Sequence, residues 1–178
     1  MKITLHHAHD SRSLRVLWLL EELGLDYQLR CYDFFDKSLR SAAYLALNPA
    51  GRVPAIEIDG QVMIESGAIV EYLCECAPAL ELSPDLAPHL APHLAPGPGL
   101  GRAPGDVERM AWLEWLHYGE TIGQHLANLT QGHIVLYEDW MRSPTQLSLE
   151  TKRLAKVLTR VEQALADGRD YLLASGFS

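Results

Sequence analysis

Two serines stand in the turn before the first helix predicted from the sequence. Ser11 and Ser13 belong to the run Ser-Arg-Ser-Leu-Arg. Free backbone N–H groups and the positive end of a helix dipole stabilise an anion at such a turn. A serine here can equally serve as a simple N-cap, and with two available one can cap while the other faces a ligand. Position alone leaves the two roles open.

A proline marks a second candidate segment, Gly51-Arg52-Val53-Pro54, just before a predicted strand. A proline that enters a strand needs a strand edge or a special turn, and a cis bond there would be a deliberate feature. The proline drives Val53 towards an extended conformation, which leaves its N–H and C=O for pairing with an extended ligand. Taken alone, an ordinary turn proline explains this segment more simply.

Glu65-Ser66-Gly67 forms the third segment, where a strand is predicted to enter a helix. Ser66 and the first helical N–H groups can bind a carboxylate, and Glu65 can bind an ammonium group. A zwitterionic amino-acid end needs both. Capping is the commoner role for a serine such as Ser66, but the three segments in this order together predict one ligand site.

The elements that position these segments alternate between strand and helix. Apolar periodicity predicts strands over 2–6, 26–32, 55–58 and 61–64, and helices over 13–23, 38–47 and 66–76. Asp59-Gly60 predicts an antiparallel hairpin, Gly24 a helix C-cap and Ser66 an N-cap. A right-handed crossover followed by a hairpin and a closing helix gives one mixed sheet covered on both sides.

The composition changes after the last of these helices. Residues 79–105 hold a Leu-Ala-Pro repeat that starts at Leu86, and proline at every fourth position forbids a regular helix. The sequence therefore predicts a linker between a first domain, 1–78, and a helical domain, 106–178. Apolar stripes predict the helices of that second domain, with Asp106 and Ser143 as N-caps.

Charge and cysteine content exclude several classes of protein. The net charge of −8 argues against a nucleic-acid partner, because no basic patch could neutralise a phosphate backbone. We expect no membrane segment, since no stretch is long and apolar enough to cross a bilayer. Cys74 and Cys76 would face different sides of a helix, which predicts reduced thiols in the cytoplasm rather than a metal site. The linker histidines, His89 and His93, are more simply explained as solvated than as ligands.

The three segments in their sequence context resemble the cytosolic glutathione transferase family. The resemblance rests on Ser11-Arg-Ser-Leu-Arg-Val-Leu-Trp-Leu-Leu-Glu-Glu-Leu-Gly, Asn48-Pro-Ala-Gly-Arg-Val-Pro-Ala-Ile and Glu65-Ser-Gly-Ala-Ile-Val-Glu-Tyr-Leu. It is specific over residues 1–76, where the bacterial and fungal serine-type branch is most similar, and looser over the helical part. It implies a thioredoxin-like α/β domain with the order βαβαββα, followed by an all-α domain.

The resemblance also implies roles for the residues of these segments. Ser11 matches the family serine that donates a hydrogen bond to the glutathione sulfur, and we prefer it to Ser13, which we expect to satisfy helix N–H groups. The remaining glutathione contacts would come from the Val53 backbone with a cis Pro54 for the cysteinyl part, Glu65 and Ser66 for the γ-glutamyl end, and Arg52 for the glycyl carboxylate. Candidate electrophile-site residues are His9, Trp112, Trp115, His117 and Tyr118.

The activity implied is attack of the glutathione thiolate on a small electrophile, or on a peroxide oxygen, by a metal-free homodimer. A thioredoxin-like reductase would need a cysteine at the start of the first helix, and the sequence has none there. A non-catalytic module that binds glutathione or a partner stays open as the alternative. The chain stops at Ser178, where the family opens a buried helix, which predicts either truncation or adaptation to a shortened helical domain.

Overall fold

The computed structural model describes residues 1–76 and 99–178. These residues form two compact units, Met1–Ala103 and Pro104–Ser178. Most of the predicted linker, including its Leu-Ala-Pro repeat and both of its histidines, lies outside the described residues.

The first unit is built on one four-stranded mixed sheet. Its elements are β1 (Ile3–Ala8), α1 (Ser13–Glu22), β2 (Tyr27–Tyr32), a 3₁₀ turn (Ser38–Arg40), α2 (Ala42–Leu47), β3 (Ala55–Ile58), β4 (Gln61–Ile64) and α3 (Ser66–Cys76). The strand order is β2-β1-β3-β4, with β1 parallel to β2 and antiparallel to β3, and β3 antiparallel to β4. The predicted βαβαββα order and the mixed sheet are confirmed.

The core of this unit lies between the central strands and two helices. Its most deeply buried apolar side chains are Leu5 and Ile56 from β1 and β3, Val16 and Leu20 from α1, and Ile69 and Leu73 from α3. Helices α1 and α3 contact each other, while β2 and β4 form the sheet edges. The hairpin between β3 and β4 turns at Asp59 and Gly60, whose φ angles of 50° and 85° confirm the predicted Asp-Gly turn.

The helix predicted over 38–47 is divided in the structure, which corrects the expectation. Ser41 adopts an extended conformation (ψ 148°) and its hydroxyl accepts a hydrogen bond from the Tyr44 N–H at 3.2 Å. A serine that caps one helix cannot sit inside another, so the 3₁₀ turn ends and α2 begins at this point. Apolar spacing alone did not reveal the interruption.

The last residues of the predicted linker pack onto the first unit. Leu100 and Arg102 are buried, and the Arg102 guanidinium donates to the carbonyls of Gly99 and Gly101 at 2.9 Å each. A Cβ atom at Gly101 would lie 2.8 Å from the Cβ of Cys74 in α3. This segment is therefore held against α3 at a distance that only glycine permits.

The second unit is a pair of long helices, α4 (Arg109–Ile134) and α5 (Pro144–Ala164), with a 3₁₀ turn (Asp139–Met141) between them. Ser143 caps α5 as predicted, because its hydroxyl accepts from the Gln146 N–H at 3.3 Å. The predicted cap at Asp106 is wrong: α4 begins three residues later, and the Asp106 carboxylate accepts from the Glu108 N–H in the preceding turn. In the described ranges, no helix has the length and hydropathy needed to cross a membrane.

Buried polar contacts join these two helices. The Glu150 carboxylate of α5 accepts hydrogen bonds from His125 and Asn128 of α4 and from Arg153, at 2.8, 3.1 and 2.8 Å. These donors, His125 foremost, lower the pKa of Glu150 to about 2. The Tyr118 hydroxyl of α4 donates to the Val157 carbonyl of α5 at 3.1 Å.

Candidate active site

Strand pairing brings the three candidate segments to the same end of the sheet. Ala55, the first residue of β3, pairs with His6 of β1 on one side and with Ile64, the last residue of β4, on the other. The end of β1, the start of β3 and the end of β4 therefore lie side by side. The turn after β1, the loop before β3 and the turn after β4 carry Ser11, Val53-Pro54 and Glu65-Ser66 respectively.

The two serines at the start of α1 have different environments. Ser13 is fully buried, and its hydroxyl contacts the ring of His7 at 2.8 Å, while Ser11 is only partly buried. The prediction that Ser13 satisfies the helix N–H groups is wrong: α1 has no side-chain cap, and the Ser11 hydroxyl accepts from the Ser13 N–H at 3.2 Å. Ser13 instead accepts from the Ala8 N–H at 3.2 Å and ties the end of β1 to α1.

The loop before β3 is held by its main chain. The Arg52 carbonyl accepts hydrogen bonds from the Tyr44 hydroxyl at 2.6 Å and from the Asn48 side-chain amide at 2.7 Å. The bond between Val53 and Pro54 is cis, as expected. Among residues 1–76 and 99–178, no hydrogen bond uses the N–H or C=O of Val53, and the Arg52 side chain is exposed.

The turn after β4 leaves Glu65 accessible. Glu65 has a φ of 72°, a left-handed conformation that is uncommon for a side-chain-bearing residue and recurs at ligand sites. Its carbonyl accepts from the Ile69 N–H, so Glu65 occupies the position before α3. Ser66 is the first helical residue, and the prediction that it caps α3 is wrong by one position. Its side chain is buried beside the exposed Glu65.

Three aromatic rings meet behind the loop that carries Arg52. The hydroxyl of Tyr32 and the carboxylate of Glu57 both contact the ring of His6, each at 2.8 Å, and the rings of Tyr32 and Tyr44 are 4.6 Å apart. Burial is the largest influence on Tyr44 and raises the pKa of its hydroxyl to about 12, so this group remains a neutral donor. Sequence reasoning missed Tyr44, and the only signal for it was an aromatic residue four positions before Asn48.

The candidate electrophile-site residues fall in both units. His9 is exposed in the first unit, with its ring 5.8 Å from that of His7. In the second unit Trp112 is buried, His117 is exposed, and Trp115 and Tyr118 lie under the guanidinium of Arg160, which is 4.9 and 4.6 Å from their ring centroids. Trp115 and Tyr118 thus contribute to the packing of α4 on α5. An electrophile-binding role for these five residues stays a prediction.

Comparison with known proteins bears on the first unit most directly. Residues 11–76 match the family model described as the N-terminal domain of glutathione S-transferase. The similarity is therefore to the N-terminal domain of the glutathione transferase family, over about the first two fifths of this chain. Over 71 residues the chain is 45% identical to glutathione S-transferase 3 of Schizosaccharomyces pombe, and over 81 residues it is 44% identical to maleylacetoacetate isomerase of Pseudomonas aeruginosa. These matches cover 40% and 44% of this chain, but only 29% and 38% of the two relatives.

Solved glutathione transferase structures share the fold over nearly the whole chain. A glutathione transferase of Methylococcus capsulatus is 28% identical, with a TM-score of 0.71 over 99% of this chain and 75% of that one. A transferase homologue of Lodderomyces elongisporus, determined with two glutathione molecules per subunit, has a TM-score of 0.77 at 21% identity and covers 99% of this chain and 78% of that one. The thioredoxin-like α/β domain followed by a helical region is thereby confirmed.

Proposed function

We propose that this protein is a serine-type glutathione transferase that joins the glutathione sulfur to small electrophiles, with Ser11 as the catalytic residue. The observation that carries the proposal is the convergence of three segments at one end of the sheet, in a domain similar to that of glutathione transferases. These segments are Ser11, the Val53 main chain, which has no hydrogen-bond partner among the described residues, and the Glu65-Ser66 turn. Each segment has a different part of glutathione to bind. Val53 would hold the cysteinyl main chain, Glu65 and Ser66 the γ-glutamyl zwitterion, and Arg52 the glycyl carboxylate.

The chemistry needed is stabilisation of a thiolate. A free thiol has a pKa of about 8.5, and only its anion is a good nucleophile. The Ser11 hydroxyl and the N-terminus of α1 would favour the anion without ionisation of the serine. The thiolate then forms a bond to the electrophilic carbon, and the leaving group departs with its electron pair. With a hydroperoxide the same thiolate would attack one oxygen, the O–O bond would break, and the other oxygen would depart with the electron pair as an alkoxide that takes up a proton.

The decisive experiment pairs glutathione binding with turnover. Retention on glutathione-agarose tests the site, and a chromogenic electrophile tests the reaction. We expect Ser11→Ala to leave glutathione affinity nearly unchanged and to lower the rate about 10- to 1,000-fold, the span for loss of one preorganised donor to an anion. Ser148→Ala, at an exposed serine of α5, is the matched control. Retention without turnover by the unmodified chain would instead support the non-catalytic binding module.

A glutathione-dependent isomerase is a second candidate, because relatives from Pseudomonas aeruginosa, Rhizobium meliloti and Caenorhabditis elegans are named as maleylacetoacetate isomerases or probable ones. Addition of the thiolate to a conjugated double bond, rotation, and departure of the thiolate would change the geometry of that bond and regenerate glutathione. A substrate panel containing maleylacetoacetate separates the two activities. Conjugates that accumulate indicate a transferase, and isomer formation with no glutathione consumed indicates an isomerase.

We further propose a metal-free homodimer that acts in the cytoplasm. Support for self-association comes from exposed apolar side chains on the second unit, among them Met110, Ile134, Val135, Tyr137 and Trp140. Light scattering at micromolar concentration should give the mass of a dimer. A monomer mass at every concentration tested would contradict the proposal.

A further inference from the structure

A continuous chain of hydrogen bonds runs from Ser11 into the interior of the first unit. The Ser11 Oγ lies 2.7 Å from the Ala8 carbonyl oxygen and 2.5 Å from the Ser13 Oγ, and the Ser13 Oγ lies 2.8 Å from the His7 Nδ1. His7 and Ser13 are both buried, so water does not replace these partners. The chain therefore links the surface hydroxyl of Ser11 to a histidine ring that no part of the proposed chemistry has yet used.

The number of available protons determines which group donates at each step of this hydrogen-bond chain. Each of its three short contacts needs one proton, and the two hydroxyls supply two. The Ser13 Oγ already accepts from the Ala8 N–H and the Ser11 Oγ from the Ser13 N–H, both at 3.2 Å. The third proton must therefore come from the His7 Nδ1. With the proton on Nε2 instead, two oxygens would face each other at 2.5 or 2.7 Å with no hydrogen between them.

Resting on the proposed function, we infer that His7 and Ser13 are positioning residues that orient the Ser11 hydroxyl towards the glutathione sulfur. His7 donates from Nδ1 to Ser13, and Ser13 donates to Ser11. Both lone pairs of the Ser11 oxygen are then occupied, by the N–H and the hydroxyl of Ser13. The Ser11 proton is not needed by Ser13, so a small rotation of the Ser11 side chain can exchange its hydrogen bond to the Ala8 carbonyl for one to a sulfur anion and separate the two oxygens.

The other tautomer of His7, with its proton on Nε2, would prevent this arrangement. Ser13 would donate to His7, and Ser11 would have to donate to Ser13 at 2.5 Å rather than to the sulfur. Burial, and then the neighbouring His9, lower the pKa of His7, so the ring is neutral near pH 7 and its tautomer is decisive. Within the described part of the chain the Nε2 atom of His7 has no hydrogen-bond partner, which leaves it free to be the unprotonated nitrogen. Successive donors in such a chain also polarise one another and strengthen the last of them.

The test measures the pKa of the glutathione thiol bound to the full chain, by ultraviolet titration of the thiolate at saturating glutathione. His7→Leu removes the donor, and we expect the pKa of the bound thiol to rise by about 0.5 to 1 unit, which is about a three- to tenfold loss of thiolate below that pKa. His7→Asn retains a donor at the position of Nδ1 and should restore most of the shift. His6→Asn is the matched control, because His6 is a buried histidine on the opposite face of β1.

A second measurement needs no substitution. Nitrogen-15 NMR of the unmodified protein with glutathione bound should find the His7 proton on Nδ1. This measurement tests the inferred direction of the hydrogen bonds even if His7→Leu does not fold. A proton on Nε2, an unchanged thiol pKa in His7→Leu, or an equal rise in His6→Asn would each overturn the inference while leaving the proposed function intact. An unmodified chain that binds no glutathione would overturn both.

Discussion

Removal of the two hydrogen-bond donors to the Arg52 carbonyl tests how the loop before β3 is held in place. This carbonyl accepts from the Tyr44 hydroxyl at 2.6 Å and from the Asn48 amide at 2.7 Å, and both donors are buried. Tyr44→Phe removes one donor and preserves the ring that packs against Tyr32. The perturbation is therefore confined to a single hydrogen bond, one residue before Val53.

The expected change in the free energy of unfolding follows from these contacts. A neutral hydrogen bond contributes about 0.5–1.5 kcal/mol to the free energy of unfolding, and Asn48 still satisfies the carbonyl in Tyr44→Phe. We therefore expect a loss of about 0.5–1 kcal/mol. Asn48→Ala also leaves the Ala50 N–H without its acceptor at 3.0 Å and should cost about 1–3 kcal/mol. The double variant leaves the Arg52 carbonyl with neither donor, so its cost should exceed the sum of the two single costs.

The assay is urea unfolding of the unmodified protein, the two single variants and the double variant at neutral pH, with glutathione affinity measured by calorimetry alongside. Tyr32→Phe is the matched control, because its hydroxyl contacts His6 in the same aromatic cluster but does not reach the loop. We expect Tyr44→Phe to weaken glutathione binding and Tyr32→Phe to preserve it. Strictly additive single costs would refute the reasoning, since they would mean that the two donors do not share the carbonyl.

Three further predictions concern other parts of the chain. Glu65→Ala should weaken glutathione binding by about 2–5 kcal/mol if Glu65 binds a desolvated ammonium group as proposed, and calorimetry showing unchanged affinity would remove Glu65 from the proposed site. Contacts led by His125 lower the pKa of Glu150 to about 2, from an ordinary 4.5. The stabilisation that Glu150 gives the second unit should therefore be complete above about pH 4.5 and lost as the pH falls towards 2. Glu150→Gln should abolish that part of the acid transition in circular dichroism. Gly101→Ala should destabilise the protein by about 1–3 kcal/mol, because the added methyl group collides with α3. Gly119→Ala, at an open position of a helix, should stabilise it by up to about 1 kcal/mol. Unfolding midpoints equal to that of the unmodified protein would contradict both expectations.

The elements that sequence reasoning placed best were those fixed by local signals. The bounds of β3 and β4 agree with prediction, because the Asp59-Gly60 turn leaves a two-residue connection only one register. Those of α3, which follows β4 after one residue, agree as well. Gly24, with a φ of 60°, follows α1 as expected, and its N–H bonds back to the Glu21 carbonyl. In each case the deciding residue and its consequence lie within a few positions of each other.

The features that sequence reasoning missed depend on contacts between distant or competing groups. Ser41 divides a predicted helix because its hydroxyl accepts from the Tyr44 N–H in place of a main-chain carbonyl. At the candidate site the sequence singled out both serines, but their local hydrogen bonds could not be assigned from order along the chain. The partner that separates them is His7, which reaches Ser13 only after β1 and α1 have packed together.

The sheet itself defines the candidate site, because strand register sets the distance between its parts. Ala55 is the common point: it pairs with His6, two residues before the end of β1, and with Ile64, directly before Glu65. A slip of one residue at the hairpin would shift the Glu65-Ser66 turn by one position relative to Val53 and would turn every β4 side chain to the other face. The hairpin turn is far from the candidate site along the strands, yet a residue inserted into it should disrupt the site as surely as a change in Glu65.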